Sequence, residues 1–149
     1  MFIPRAGLIV TLGNFYILKG VGCLCFIQIN ENPHKNLVDD CVIRAIATAT
    51  GRTWDDVYLD LMIEGFTEKN YPNYNSIWWS YLVDRNWIRY LVKDTCPLCY
   101  ILKDFVKDHK YGIYLVGDGS HVVAVVDGNY IDTYDSGNMS VLYYFRKEK

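Results

Sequence analysis

Between residues 41 and 106 apolar side chains recur at helical intervals, and from residue 111 onward they alternate with polar ones or run together in short blocks. Val42, Ile43, Ile46, Ala47 and Ala49 form the first clear helical face, and Gly51 is placed to cap its C-terminus. Asp39 and Asp40 stand where a helix N-terminus accepts negative charge, so Cys41 is expected in the first turn of a largely buried helix. A second helix opens on a Thr53 cap with Asp55 and Asp56 in its first turn. Its apolar positions are Trp54, Val57, Leu59, Leu61 and Met62, and Gly65 is expected to end it. Residues 66–75 read as a loop, Ser76 to Val83 as an aromatic-rich helix and Ile88 to Val92 as a short strand. Thr95 and Pro97 are expected to open a fourth helix running to about Val106.

Strands are expected at Tyr111 to Val116, His121 to Val126, Tyr130 to Tyr134 and Val141 to Phe145. The stretches that join them, Gly117 to Ser120, Asp127 to Asn129 and Asp135 to Asn138, are rich in hairpin residues. Helices followed by an antiparallel meander make an α+β plan. One domain is expected over residues 30–149, preceded by an extension of uncertain status at 1–29. In that extension Ala6 to Ile27 is largely apolar, which raises a membrane anchor or a secretory leader. Asn14, Lys19 and four glycines interrupt the run, and no clean small-x-small cleavage site follows, so membrane association is not expected. A poorly packed extension or one or two added strands remain the plainer alternatives.

Composition narrows the class. An apolar fraction of 51% with 13 Tyr, 6 Phe and 4 Trp describes a globular chain. A net charge of -2 argues against a nucleic-acid partner, which calls for a basic face. Five irregularly spaced cysteines fit a reducing compartment, and a cytoplasmic location is expected.

Cys41 and His121 are the candidate nucleophile and base. A thiolate is stabilised by a helix N-terminus and by a neighbouring imidazolium. Cys41 has the first by position, and His121, at the start of a strong strand after a Gly-Ser turn, is placed to supply the second. The imidazole then needs an acceptor to fix its tautomer. The Asp127-Gly128-Asn129 hairpin returns Asp132 and Asp135 beside it, and Asp132 is the preferred of the two. The other would serve to cap the next turn.

This order, a Cys on an early helix, a His opening a strand and an acid on the next strand, resembles the papain-like cysteine peptidase superfamily. The stretch from His121 to Gly128, followed by Tyr130-Ile-Asp-Thr-Tyr134, is similar to that family's His strand and Asn-Ser-Trp signature, with Asp132 for Asn and Thr133-Tyr134 for Ser-Trp. The Asp-Cys step before a helix and the compact separation of 80 residues from Cys41 to His121 look closer to bacteriocin-processing peptidase domains, and the Asp-Cys-x-x-Arg-Ala-Ile helix is similar to that of small phage and bacterial papain-like proteins. The resemblance implies a papain-like fold and a Cys-His-Asp hydrolase of peptidase or amidase type, acting on a peptide or protein without a cofactor. Where the family carries an oxyanion-hole Gln ahead of its Cys, this chain has Lys35; Asn36 is the nearest amide, to serve with the Cys41 backbone N–H. Val42 takes the place of the usual Trp.

Other readings compete with this one. A lone buried Cys is usually core, so a papain-like binding module without turnover is the main alternative. Cys96-Pro97-Leu98-Cys99 opens a predicted helix after a strand, as a dithiol oxidoreductase site does, but no proline follows it to face the dithiol. Cys23, Cys25, Cys96 and Cys99 form a weak zinc pattern, and no metal is expected. The aromatic cluster of Tyr71, Tyr74, Trp78, Trp79, Tyr81 and Trp87 either lines a cleft or packs the core. His34 and His109 sit among charged neighbours and are expected on the surface.

Overall fold

Residue alternation along the central strands sorts their side chains into two separate cores. Leu115, Val122, Ala124, Tyr143 and Phe145 belong to one cluster, and Tyr114, Val116, Val123, Val125 and Tyr130 to the other. A sheet apolar on both faces must be covered on both. The computed structural model describes residues 9–12, 15–18, 26–93, 95 and 97–148. Among them, α1 (Cys41–Thr50), α2 (Trp54–Glu68) and α3 (Asn75–Val83) contribute to the first core, and α4 (Leu102–Asp108) to the second.

The remaining elements are strands. β1 (Ile9–Leu12) and β2 (Phe15–Leu18) form an antiparallel pair of their own. β3 (Phe26–Gln28), β4 (Trp87–Leu91), β5 (Ile113–Gly117), β6 (Val122–Val126), β7 (Asn129–Asp132) and β8 (Tyr143–Lys147) form a six-stranded sheet ordered β3-β7-β6-β5-β8-β4. The fold is therefore mixed α+β, with four helices among the described residues.

The sheet departs from the expected antiparallel meander in two places. β3 pairs parallel with β7, matching Phe26 to Tyr130 and Gln28 to Asp132, so the sheet is mixed. These residues fall within the stretch 1–29 that the sequence set apart as an extension; here they complete the edge of the main sheet. With that edge occupied, β8 does not continue beside β7. It pairs instead between β5 and β4, where Phe145 packs against Trp78 at a ring separation of 5.4 Å.

Two helix boundaries also moved. α2 does not end at Gly65 but runs to Glu68, where Lys69 takes the left-handed C-cap conformation. Gly65 serves the loop instead: the Asn70 N–H donates to its carbonyl at 2.8 Å, and a Cβ there would meet the Asn70 oxygen at 2.7 Å. The fourth helix begins at Leu102 and not near Pro97. Upstream of it the Thr95 hydroxyl accepts from the Tyr100 N–H at 3.0 Å, and Ile101 bridges to Ser140 in an extended conformation.

α1 carries the consequence for function. Every residue from Val42 to Ala49 is buried, Arg44 and Thr48 included, so the helix is a central strut packed on the sheet. Gly51 closes it in the left-handed conformation and Thr53 caps α2 by accepting from the Asp56 N–H, as the sequence pattern predicts. A helix buried from Val42 to Ala49 fixes the position of its first residue, Cys41.

Candidate active site

Asp40 occupies the N-cap of α1, yet its carboxylate makes no cap hydrogen bond. It turns inward instead, pairing with Arg44 one turn along and accepting from Trp54 Nε1 at 2.9 Å and Asn32 Nδ2 at 3.2 Å. A buried carboxylate needs such partners to offset its lost hydration. The first-turn N–H groups of α1 are thus left without a side-chain cap, at the positive end of the helix dipole. Cys41 and Val42 line a cavity of about 620 Å³ there.

His121 reaches the same cavity from the sheet. An Asx turn sets it: Asp118 Oδ1 accepts from the backbone N–H groups of Ser120 at 2.8 Å and His121 at 2.7 Å. Gly119 supplies the positive φ of +98° that this tight reversal requires. The β6–β7 register, with Ala124 opposite Ile131, brings the end of β7 back alongside. There Asp132 Oδ2 lies 2.7 Å from His121 Nε2. With Nε2 committed to the acid, Nδ1 is the ring nitrogen left for the thiol. Tyr134 stacks on the imidazole, at a centroid separation of 5.4 Å, where the resemblance places an aromatic after the third member.

The electrostatics follow from these contacts. Burial disfavours the charged imidazole, but hydrogen bonding to Asp132 and to Cys41 outweighs it and carries the His121 pKa up to about 9. For Asp132, burial works against ionisation, and His121 and the Thr133 N–H together overcome it and hold the carboxyl below its usual range. Arg44 approaches Asp132 Oδ1 at 3.7 Å while gripping Asp40, so one guanidinium braces the helix of Cys41 and the strand of Asp132.

Cys41, His121 and Asp132 are therefore brought together. Asp135 is not part of the group: it accepts from the Tyr130 hydroxyl at 2.7 Å and the Gly137 N–H at 3.0 Å, closing the following turn. Asn36 is exposed and absent from the cavity wall; its carbonyl accepts from Asn30 Nδ2 at 3.1 Å. Its expected oxyanion role has no geometric support, because the backbone after it carries Leu37 and Val38 to the cavity instead. Of the thiols weighed for redox or zinc chemistry, Cys23, Cys25 and Cys96 lie outside the described residues, and Cys99 is exposed.

The aromatic cluster divides. Trp78, Tyr81 and Trp87 are core, with Trp78 also reaching the cavity, while Tyr71 and Tyr74 are exposed. His109 is not simply a solvated surface group, since its ring stacks on Phe105 at 3.9 Å. Arg44 and Asp118 were not identified as site residues from sequence. Their signals were present: a cation four residues after an acid inside an apolar helix must be paired, and Asp-Gly-Ser is an Asx-turn pattern.

Neither a scan of protein-family models nor searches of curated proteins and of solved structures found a match to this chain. Among the described residues no cluster of three or more His, Cys, Asp or Glu could hold a metal ion, and no helix is long and apolar enough to cross a membrane.

Proposed function

We propose that this chain is a cysteine hydrolase of papain-like plan, cleaving an amide in a peptide or protein. The observation that carries the reading is one cavity holding Cys41 at an uncapped helix start and His121 paired to Asp132 at 2.7 Å. The chain order Cys, His, Asp and the Tyr134 ring over the imidazole agree with the papain-like resemblance.

In this mechanism the Cys41 sulfur, as thiolate beside the His121 imidazolium, adds to the substrate carbonyl carbon. The π electrons move to oxygen, and the resulting oxyanion meets the Cys41 backbone N–H. His121 gives its proton to the leaving amine as the C–N bond breaks, which leaves a thioester on Cys41. Water then attacks the thioester while His121 takes its proton, and the carboxylate product departs with the thiolate restored. Asp132 holds the imidazole in the required tautomer throughout and stabilises its cation.

Selective labelling tests the reading. Iodoacetamide should modify Cys41 faster than Cys99, and His121→Ala should abolish the difference. Equal rates at the two thiols, unaffected by the histidine, would mean a binding module without catalysis.

A further inference from the structure

Tyr143 shares the cavity with Cys41 and His121 and has no part in the chemistry described so far. It opens β8, where it pairs across the sheet with Gly117, which in turn pairs with Val122 beside His121. Residues on one rung project to one face, and Tyr143 and Val122 both belong to the core beneath α1 against which Cys41 packs. The middle position of that rung has no side chain. A Cβ at Gly117 would lie 2.6 Å from both the Cζ and the hydroxyl of Tyr143, so the glycine leaves the room that the end of the ring occupies.

The ring itself is fixed. Tyr143 is only 5% exposed and meets Trp79 edge-on at 5.4 Å and Phe145 at 6.1 Å. The indole N–H of Trp79 is buried without a hydrogen-bond partner among the described residues. An indole N–H can only donate, so it takes up no proton of the phenol. Burial also pushes the phenol's pKa up, and the negative charges of Asp118 and of a Cys41 thiolate add to that.

We propose that Tyr143 is a catalytic residue whose phenol O–H donates a hydrogen bond to the oxyanion formed when Cys41 adds to a carbonyl. It supplies the side-chain donor that Asn36 does not, alongside the Cys41 backbone N–H. The role rests on the cysteine-hydrolase reading. No proton is transferred: the phenol donates to the oxyanion, and the bond loosens as the C=O re-forms.

Two reactions of the same thiol separate this role from a structural one. Acylation of Cys41 by p-nitrophenyl acetate passes through an oxyanion; alkylation by iodoacetamide displaces iodide and forms none. Tyr143→Phe keeps the ring packing, and should slow acylation at Cys41, followed by peptide mapping, on the order of 10²–10³-fold. Alkylation should stay at the wild-type rate. Equal losses in both reactions would make Tyr143 a support for the thiolate, and no loss in either would remove it from the mechanism; each outcome overturns the proposal. If wild-type Cys41 is acylated no faster than Cys99, the hydrolase reading itself fails. Should Tyr143→Phe not fold, a fluorotyrosine placed at 143 alone keeps the shape with a more acidic phenol. It should change the rate of acylation and leave alkylation unchanged, and an unchanged acylation rate would count against the donor.

Discussion

The guanidinium of Arg44 lies 3.7 Å from the carboxylate of Asp132, while the same side chain pairs with Asp40 beside Cys41. The helix that carries Cys41 and the strand that returns Asp132 are thus joined through one buried cation. Removing it should destabilise the fold as well as disturb the site. Arg44→Met leaves two buried carboxylates short of a partner, and urea unfolding should show a loss of about 3–5 kcal/mol. A loss within experimental error would mean that Asn32, Trp54 and His121 satisfy the two acids without Arg44.

The His121–Asp132 pair should set a pH limit on activity. In the proposed mechanism His121 gives its proton to the leaving amine, and its pKa is carried up to about 9, so amide cleavage should fall above that pH. Asp132→Asn removes the hydrogen bond and charge that raise the imidazole's pKa, and so should move the alkaline limb toward the ordinary histidine range. Rate–pH profiles of the two proteins provide the comparison; an unshifted limb in the variant would show that another group titrates there.

The same pair has a signature in stability. The folded His121 pKa of about 9 lies above its ordinary 6.5, so the native state holds the proton more tightly than the unfolded chain. The contribution is complete below pH 6.5 and is lost as pH rises through about 9. Its size is on the order of 3 kcal/mol. Denaturant unfolding across this window should show wild-type stability falling more steeply than that of His121→Gln, and parallel curves would contradict the assignment.

Gly65 offers a test of packing against propensity. Alanine is favoured over glycine by about 1 kcal/mol in a helix interior. Here the added Cβ would lie 2.7 Å from the backbone oxygen of Asn70, with Pro72 close behind, so the loop must shift. Gly65→Ala is expected to lower the melting temperature despite its better propensity. A rise would show that the 70–72 loop gives way easily.

Much of the local structure was legible because it depends on near neighbours in the chain. The apolar spacing from Val42 to Ala49 marks α1, Gly51 and Thr53 mark the break after it, and the Asp127-Gly128-Asn129 turn marks the β6–β7 hairpin. Cys41 at a helix start and His121 at a strand start follow from the same signals. The errors came where distant segments compete. Gly65 looked like a helix stop because nothing local showed that a later loop would press against it. The order of β8 between β5 and β4 was hidden because local alternation marks a strand without naming its neighbours.

The sequence by itself determined the helical and strand periods, the turn chemistry and hence the placement of Cys41, His121 and a returning acid at element ends. Those are properties of short windows, set by backbone conformation and side-chain spacing. Only the tertiary structure decided between Asp132 and Asp135, left Asn36 out of the cavity, and brought Arg44 and Tyr143 to the site. These depend on which strands pair and which charges must share burial: Gly117 makes room for a ring one strand over, and Arg44 pairs with acids from two elements. No local pattern encodes such contacts, because their energy exists only once the sheet and α1 are packed together.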